Sequence, residues 1–387
     1  MTCDYISLAN KGVQSLSPYQ PGKPIEELER ELGISHIVKL ASNENPLGLG
    51  EKVQQAIQAS LTDIARYPDG NGFTLKEALA VHLSSASQNT LPLNISLDNI
   101  TLGNGSNDVL ELIARAYLSV GDEVIFSEYT FAVYPIVTQA IGATAVVTKA
   151  KEWGHDLEAM ANAITAKTKL IFIANPNNPT GTSFGVTEWQ SFIQQVPENV
   201  IVVLDEAYFE YVSRGLGTGG LDADRLDGTA YLKQYKNLVI TRTFSKAYGL
   251  ASLRVGYSVS DSSIANVLNR VRQPFNVNSM ALVAATSALS DGDYLERSRQ
   301  VNREGMQQLT QGFAQLGLEF ISSSGNFVTV NFKKEAMPIF ESLLKQGVIV
   351  RPVANYGMPT FLRVSIGLAE ENAKFLKALS AVLANGR

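Results

Sequence analysis

From about residue 100 the chain alternates short apolar, β-branched runs with amphipathic stretches. The runs at residues 100–102, 123–126, 143–148, 170–174, 200–204, 238–243 and 255–259 predict strands. Several are continuously apolar rather than alternating, most clearly Leu170-Ile-Phe-Ile-Ala174 and Val200-Ile-Val-Val-Leu204. Runs of that kind fit strands buried on both faces of a mostly parallel sheet. Helical periodicity falls between them, at residues 108–118 and 187–195 for example. The series is therefore βαβ, and the expected fold class is α/β, a sheet with helices on both sides.

Past about residue 270 the texture changes. A long helical stretch, residues 279–314, is broken near Gly292 and precedes shorter strands at 327–332, 348–352 and 362–366, then a final helix at 370–383. This reads as a smaller α+β domain. The first 45 residues carry Pro18, Pro21 and Pro24, which suits an arm with a short strand. The expected division is an arm contributing to the small domain (1–45), a large domain (46–270) and a small C-terminal domain (271–387). The Gly-rich stretch 215–220 is read as a surface excursion, because no strand-to-helix turn brackets it.

Composition narrows the function. Of 387 residues, 45% are hydrophobic, ample for a sizeable core, and the net charge is −5. No basic run or patch occurs, so there is no electrostatic case for nucleic acid. The one cysteine, Cys3, excludes a disulfide within the chain. His36, His82 and His155 lie far apart and form no metal-binding spacing, so no metal is expected. Residues 1–16 contain no apolar signal-like core, and no apolar run has the length of a membrane span. The cytoplasm is the default expectation.

Four segments carry candidate chemistry. Thr241-Arg-Thr-Phe-Ser-Lys-Ala-Tyr-Gly-Leu-Ala-Ser-Leu-Arg254 places Lys246 after a predicted strand, among Thr243, Ser245 and Arg254. A lysine amine forms a Schiff base with an aldehyde cofactor, and neighbouring hydroxyls and an arginine suit a cofactor that also bears a phosphate. Gly103-Asn-Gly-Ser-Asn-Asp108 follows a predicted strand and opens a helix, the arrangement that attracts phosphate to free N–H groups. It lacks the last glycine of a dinucleotide fingerprint, and no P-loop pattern occurs anywhere. Asn175-Pro-Asn-Asn-Pro-Thr-Gly181 reads either as a turn or as a segment offering the Asn178 amide to a ligand at the sheet's C-terminal edge. In Val203-Leu-Asp-Glu-Ala-Tyr208, Asp205 ends a buried run. It reads either as a helix cap or as the partner of a protonated pyridine nitrogen, with Tyr208 beside it.

Taken in chain order, these parts resemble the fold-type I pyridoxal phosphate enzymes, the aspartate-aminotransferase superfamily, over essentially the whole chain. Within it the chain is most similar to the histidinol-phosphate aminotransferases. The stretches behind that narrower resemblance are Ser17-Pro-Tyr-Gln-Pro-Gly-Lys-Pro24, Ala41-Ser-Asn-Glu-Asn-Pro-Leu-Gly48, Arg66-Tyr-Pro-Asp69, Val350-Arg-Pro352 and Phe361-Leu-Arg-Val-Ser-Ile-Gly367. The resemblance implies a large domain with a mostly parallel seven-stranded sheet and a smaller α+β domain.

It also implies roles for particular residues. Lys246 would carry pyridoxal 5'-phosphate. Ser106, Asn107, Thr243, Ser245 and Arg254 would hold the phosphate end, and Asp205, Tyr208 and Asn178 would address the ring. Phe131 would stack on that ring, in a position where relatives often have tyrosine. Tyr67 would reach the cofactor phosphate of a second copy, making the active form a homodimer. Tyr19, Asn43, Arg351 and Arg363 would line the substrate pocket. The implied reaction moves an amino group between histidinol phosphate and glutamate or 2-oxoglutarate. Paired arginines suit it, because one pocket must accept a phosphate and carboxylates in turn. An aromatic amino-acid aminotransferase, a pyridoxal phosphate lyase such as a threonine-phosphate decarboxylase, and a non-catalytic cofactor-binding module are the alternatives the residues leave open.

Overall fold

The computed structural model describes residues 3–18, 22–86, 94–212 and 225–385. Its strands are, in chain order, β1 (Val38–Lys39), β2 (Ile100–Gly103), β3 (Glu123–Ser127), β4 (Thr144–Thr148), β5 (Thr168–Ala174), β6 (Ile201–Asp205), β7 (Leu238–Thr243), β8 (Gly256–Ser260), β9 (Glu319–Ile321), β10 (Phe327–Asn331), β11 (Val348–Ile349), β12 (Arg351–Pro352) and β13 (Phe361–Ser365). Seven of them form one sheet in the order β2-β8-β7-β6-β5-β3-β4. All neighbours are parallel except β8, which runs antiparallel to both β2 and β7.

The continuous apolar runs do what their pattern predicts. Ile171, Ile173, Val202, Leu204, Leu238 and Ile240 face one core, against Trp189 and Phe192 of helix Val186–Ile193 and the alanines of helix Ser279–Leu289. Leu170, Phe172, Val203 and Val239 face the other, against Val109, Leu110 and Ile113 of helix Ser106–Tyr117. Alternate side chains of one strand thus serve opposite layers, and both faces are covered. The second sheet, β12-β13-β10-β9, is antiparallel and packs with the helices Met337–Lys345 and Ala369–Asn385 around Phe313, Val328, Leu362 and Phe375. Helix Gly292–Gln315 starts at an Asp291 cap that accepts from the Tyr294 amide.

Two expectations are corrected. The stretch 348–352 is not one strand: Val348–Ile349 pairs in parallel with β1, while Arg351–Pro352 pairs antiparallel with β13. The chain changes partner at the fully buried Val350, and Pro352 contributes no N–H with which to extend a ladder. The second difference is β9, absent from the sequence reading because Glu319–Ile321 is short and exposes two of its three residues. Residues 215–220 and Tyr19 lie outside the described residues. No helix of the described residues is long and apolar enough to cross a membrane.

Candidate active site

The parallel strands β5 and β6 end level with one another, and β7 runs two residues further in the same direction. Ala174 pairs with Asp205, and Asp205 with Thr241. The segments that follow therefore leave the sheet at one edge, carrying Asn178, Tyr208 and Lys246 to the same cavity. This is where open parallel sheets place their ligands.

One end of the cavity is built for an anion. Helix Ser106–Tyr117 opens there behind Gly105, whose φ of 81° lies in the region open to glycine. A Cβ on Gly105 would stand 2.5 Å from Arg254 Nη2, and one on Gly256 would stand 2.4 Å from the Ser106 amide nitrogen. The missing side chains are what let the Arg254 guanidinium lie against the helix start. Arg254 also donates to the Ser245 hydroxyl at 3.3 Å and to the Ala251 carbonyl at 3.0 Å, and the Ser245 amide donates to Thr243 Oγ1 at 3.1 Å. An arginine, free amide groups, hydroxyls and the positive end of a helix dipole meet here, the donor set a phosphate monoester takes.

The middle of the cavity carries Asp205, buried at 3% exposure. Tyr134 donates to its Oδ2 at 2.8 Å and Thr241 to its Oδ1 at 2.9 Å. Burial pushes its carboxyl above the ordinary carboxylate range, and these donors and Lys246 oppose that. A cationic ring nitrogen opposite would complete its neutralisation. Phe131 lines the same space, edge-on to Tyr134 at 5.8 Å.

Lys246 is half-buried, with its Nζ 3.3 Å from the Ser42 carbonyl and 5.7 Å from the centre of the Tyr208 ring. Burial, with the nearby Arg363 and Arg254 charges, lowers its pKa to about 8 against the pull of Glu44 and Asp205. A sizeable minority of its amine is thus neutral near physiological pH, the form in which it is a nucleophile toward an aldehyde. Tyr208 accepts from Asn43 Nδ2 at 2.9 Å and from Asn178 Nδ2 at 3.2 Å. Burial pushes its phenol up to about 12, so it keeps its hydrogen.

At the outer end, Arg351 and Arg363 face one another in the β12–β13 register, and both line the cavity. Arg363 donates to Asn178 Oδ1 at 2.6 Å and to the Ala41 carbonyl at 2.7 Å, 5.4 Å from the Phe327 ring centre.

The structure therefore gathers Asn43, Ser106, Asn107, Phe131, Asn178, Asp205, Tyr208, Thr243, Ser245, Lys246, Arg254, Arg351 and Arg363 around one cavity. Tyr67 is not among them. It is 82% exposed and stacks on Phe275 at 4.7 Å. Sequence reasoning missed Tyr134 and Thr241, two side-chain donors to Asp205. A tyrosine within the largely apolar helix Val133–Ile141 was the available signal, since a buried phenol needs a partner. It also missed the pair behind Asp205. Arg242 makes two bonds to Glu206 Oε2, at 2.7 and 2.9 Å, and one to Asp227, with the Phe209 ring 3.6 Å beneath its guanidinium.

An anion cradle, a buried carboxylate, a phenol and a lysine of lowered pKa fit pyridoxal phosphate group by group. Comparison with known proteins agrees. The chain matches the aminotransferase class I and II family over residues 35–379. It is 58% identical to histidinol-phosphate aminotransferase 2 of Pseudomonas fluorescens over 99% of this chain and all of that one, and 54% identical to the protein of that name from Haemophilus influenzae over 98% and 99%. Among solved structures it resembles histidinol-phosphate aminotransferase from Sinorhizobium meliloti in complex with pyridoxal-5'-phosphate, with a TM-score of 0.85 and 30% identity over 97% of this chain and 98% of that one. Aspartate aminotransferase from Thermus thermophilus with maleate shares the fold at a TM-score of 0.81 and 22% identity, over 96% and 99%.

Proposed function

The chain belongs to the class I and II aminotransferases, and we propose that it moves the amino group of L-histidinol phosphate to 2-oxoglutarate, yielding imidazole-acetol phosphate and L-glutamate in L-histidine biosynthesis. The observation that carries the substrate reading is the Arg351–Arg363 pair, set in register across a cavity that also holds the cofactor-type groups. Histidinol phosphate presents a phosphate and no α-carboxylate, whereas glutamate presents two carboxylates. Two guanidinium groups on adjacent strands can serve either anion in successive half-reactions.

Pyridoxal phosphate, when bound, supplies an aldehyde that condenses with amines and a ring that accepts the electron pair left when a Cα proton is removed. The chain's residues do the rest. Lys246 Nζ, with its pKa near 8, would hold the cofactor through its neutral amine and, when free, would take and return the substrate Cα proton. Asp205, held by Tyr134 and Thr241, would favour a positive charge on the ring nitrogen. Tyr208 retains its hydrogen for donation. Ser106, Asn107, Thr243, Ser245 and Arg254 would hold the phosphate end, and Phe131 and Asn178 would hold the ring. Asn43, and by resemblance Tyr19, complete the substrate wall.

The same reading makes the enzyme a cytoplasmic homodimer. Leu61, Ile64, Tyr67, Phe73 and Phe275 are large apolar side chains left exposed, and Tyr67 would extend from them to the partner's phosphate cradle. It also divides the chain into residues 46–270 around the large sheet and residues 271–387, with 1–45, as the small domain. Steady-state kcat/KM on histidinol phosphate and on phenylalanine, each with 2-oxoglutarate, tests the substrate reading. Preference for phenylalanine, or carbon dioxide release without an amino acceptor, would replace it.

A further inference from the structure

Asn43 is buried at 1% exposure, with a φ of 55° in the left-handed region that few non-glycine residues occupy. Its neighbours over-determine that conformation. The carbonyls of residues 40 to 43 each receive a donor: the Ser365 amide to Leu40, Arg363 Nη2 to Ala41, Lys246 Nζ to Ser42 and Asn326 Nδ2 to Asn43. Ser365 then makes a reciprocal pair with Asn43. The Asn43 amide N–H donates to Ser365 Oγ at 2.8 Å, and Ser365 Oγ donates to Asn43 Oδ1 at 2.8 Å.

This pair decides where a hydrogen goes. With Oδ1 committed to Ser365, Asn43 can turn only its Nδ2 toward Tyr208. Asn178 is oriented in the same sense, because its Oδ1 accepts from Arg363, which has no acceptor to offer. Both acceptor positions of the Tyr208 hydroxyl are thus filled by amides. Its own hydrogen has no place left but the cavity. Were the Asn43 amide reversed, Oδ1 would take that hydrogen and the cavity would lose its donor.

We infer that Ser365 is a positioning residue: its hydroxyl fixes the Asn43 amide, and through it aims the Tyr208 hydrogen at the bound cofactor. The inference rests on the proposed pyridoxal phosphate site. The other charged or titratable groups facing Tyr208 are Tyr134, Asp205 on β6, Lys246, Tyr356 and Arg363 on β13, and a change at Ser365 leaves them in place. A hydrogen bond donated to an anionic oxygen favours its deprotonated state. Withdrawing the bond therefore raises the pH at which the cofactor–lysine linkage loses its proton, which is read directly as the midpoint of its visible absorbance change.

The test is a pH titration of that absorbance in the holoenzyme for Ser365→Ala, Ser365→Thr, Tyr208→Phe and the Ser365→Ala/Tyr208→Phe double variant. Ser365→Ala is expected to raise the midpoint by about 0.5–1 unit, the size of one hydrogen bond. Ser365→Thr, which keeps the hydroxyl, is expected to restore the wild-type value. Tyr208→Phe should raise the midpoint at least as far, and adding Ser365→Ala to it should change nothing more. Should Ser365→Ala not fold, Ser365→Cys, with its weak thiol donor, is expected to give a smaller rise of the same sign. A merely structural role would lower cofactor affinity while leaving the midpoint of the occupied fraction alone. A wild-type midpoint in Ser365→Ala beside a shifted one in Tyr208→Phe overturns the inference, and so does a full further shift in the double variant. An unmoved midpoint in Tyr208→Phe, or no visible absorbance in any form, overturns the site reading beneath it.

Discussion

The Tyr134 hydroxyl lies 2.8 Å from Asp205 Oδ2, on a ring stacked 4.7 Å from Phe172 with 8° between the planes. The stack fixes the phenol, and burial drives its own pKa well above the ordinary tyrosine value, so it donates rather than ionises. Its donation thereby opposes the burial that pushes the Asp205 carboxyl above the ordinary carboxylate range. Tyr134→Phe removes a hydrogen bond to a charged group, about 1.5–3 kcal/mol, or roughly 10- to 100-fold. The expected result is a loss of that order in kcat with little change in KM. The acid limb of the pH–rate profile should also move upward, because Asp205 then protonates at higher pH.

Lys246 yields a second pH dependence. With its pKa lowered to about 8, the neutral amine is the minority form below that value and the majority above it. The rate of cofactor attachment to the apoprotein should therefore fall about tenfold per pH unit below pH 8 and level off above it. Stopped-flow absorbance across that range checks it. A flat profile would contradict a titrating nucleophile.

The Arg242–Glu206 pair is a stability prediction. The two residues follow Asp205 and Thr241 in adjacent strands, with side chains 4% and 1% exposed. Arg242→Leu leaves Glu206 buried beside Asp227 without its cation. Breaking a buried pair in this way costs about 3–5 kcal/mol. Denaturant unfolding of the holoenzyme should show a loss of that size, and a change under 1 kcal/mol would contradict the role given to the pair.

Tyr67 tests the dimer. If it acts on the partner's site, Lys246→Ala and Tyr67→Ala protomers complement one another: each hybrid dimer regains one site with both residues intact. Activity recovered on mixing and refolding the two variants is the expected result. No recovery in verified hybrids would place Tyr67 outside the partner's site.

The large sheet was readable from the sequence because its strands are buried on both faces. Runs such as Leu170–Ala174 and Val200–Leu204 leave no polar face to disguise them. The site was readable where its chemistry sits at strand ends, as Asp205 and Lys246 do. What escaped was set by partners distant in sequence. The division of residues 348–352 depends on which strand each half meets, and β9 has too few buried residues to mark itself. Tyr134, Thr241 and Ser365 look like ordinary residues in apolar elements. Only the fold turns their hydroxyls toward Asp205 and Asn43.

The central claim is the substrate, and a single turnover tests it most directly. The holoenzyme is mixed with L-histidinol phosphate in the absence of keto acid while its visible absorbance is followed, then given 2-oxoglutarate, and the trace is repeated with phenylalanine. The account predicts rapid bleaching by histidinol phosphate, much faster than by phenylalanine, and recovery on adding 2-oxoglutarate. Faster bleaching by phenylalanine, or bleaching that 2-oxoglutarate does not reverse, would contradict it.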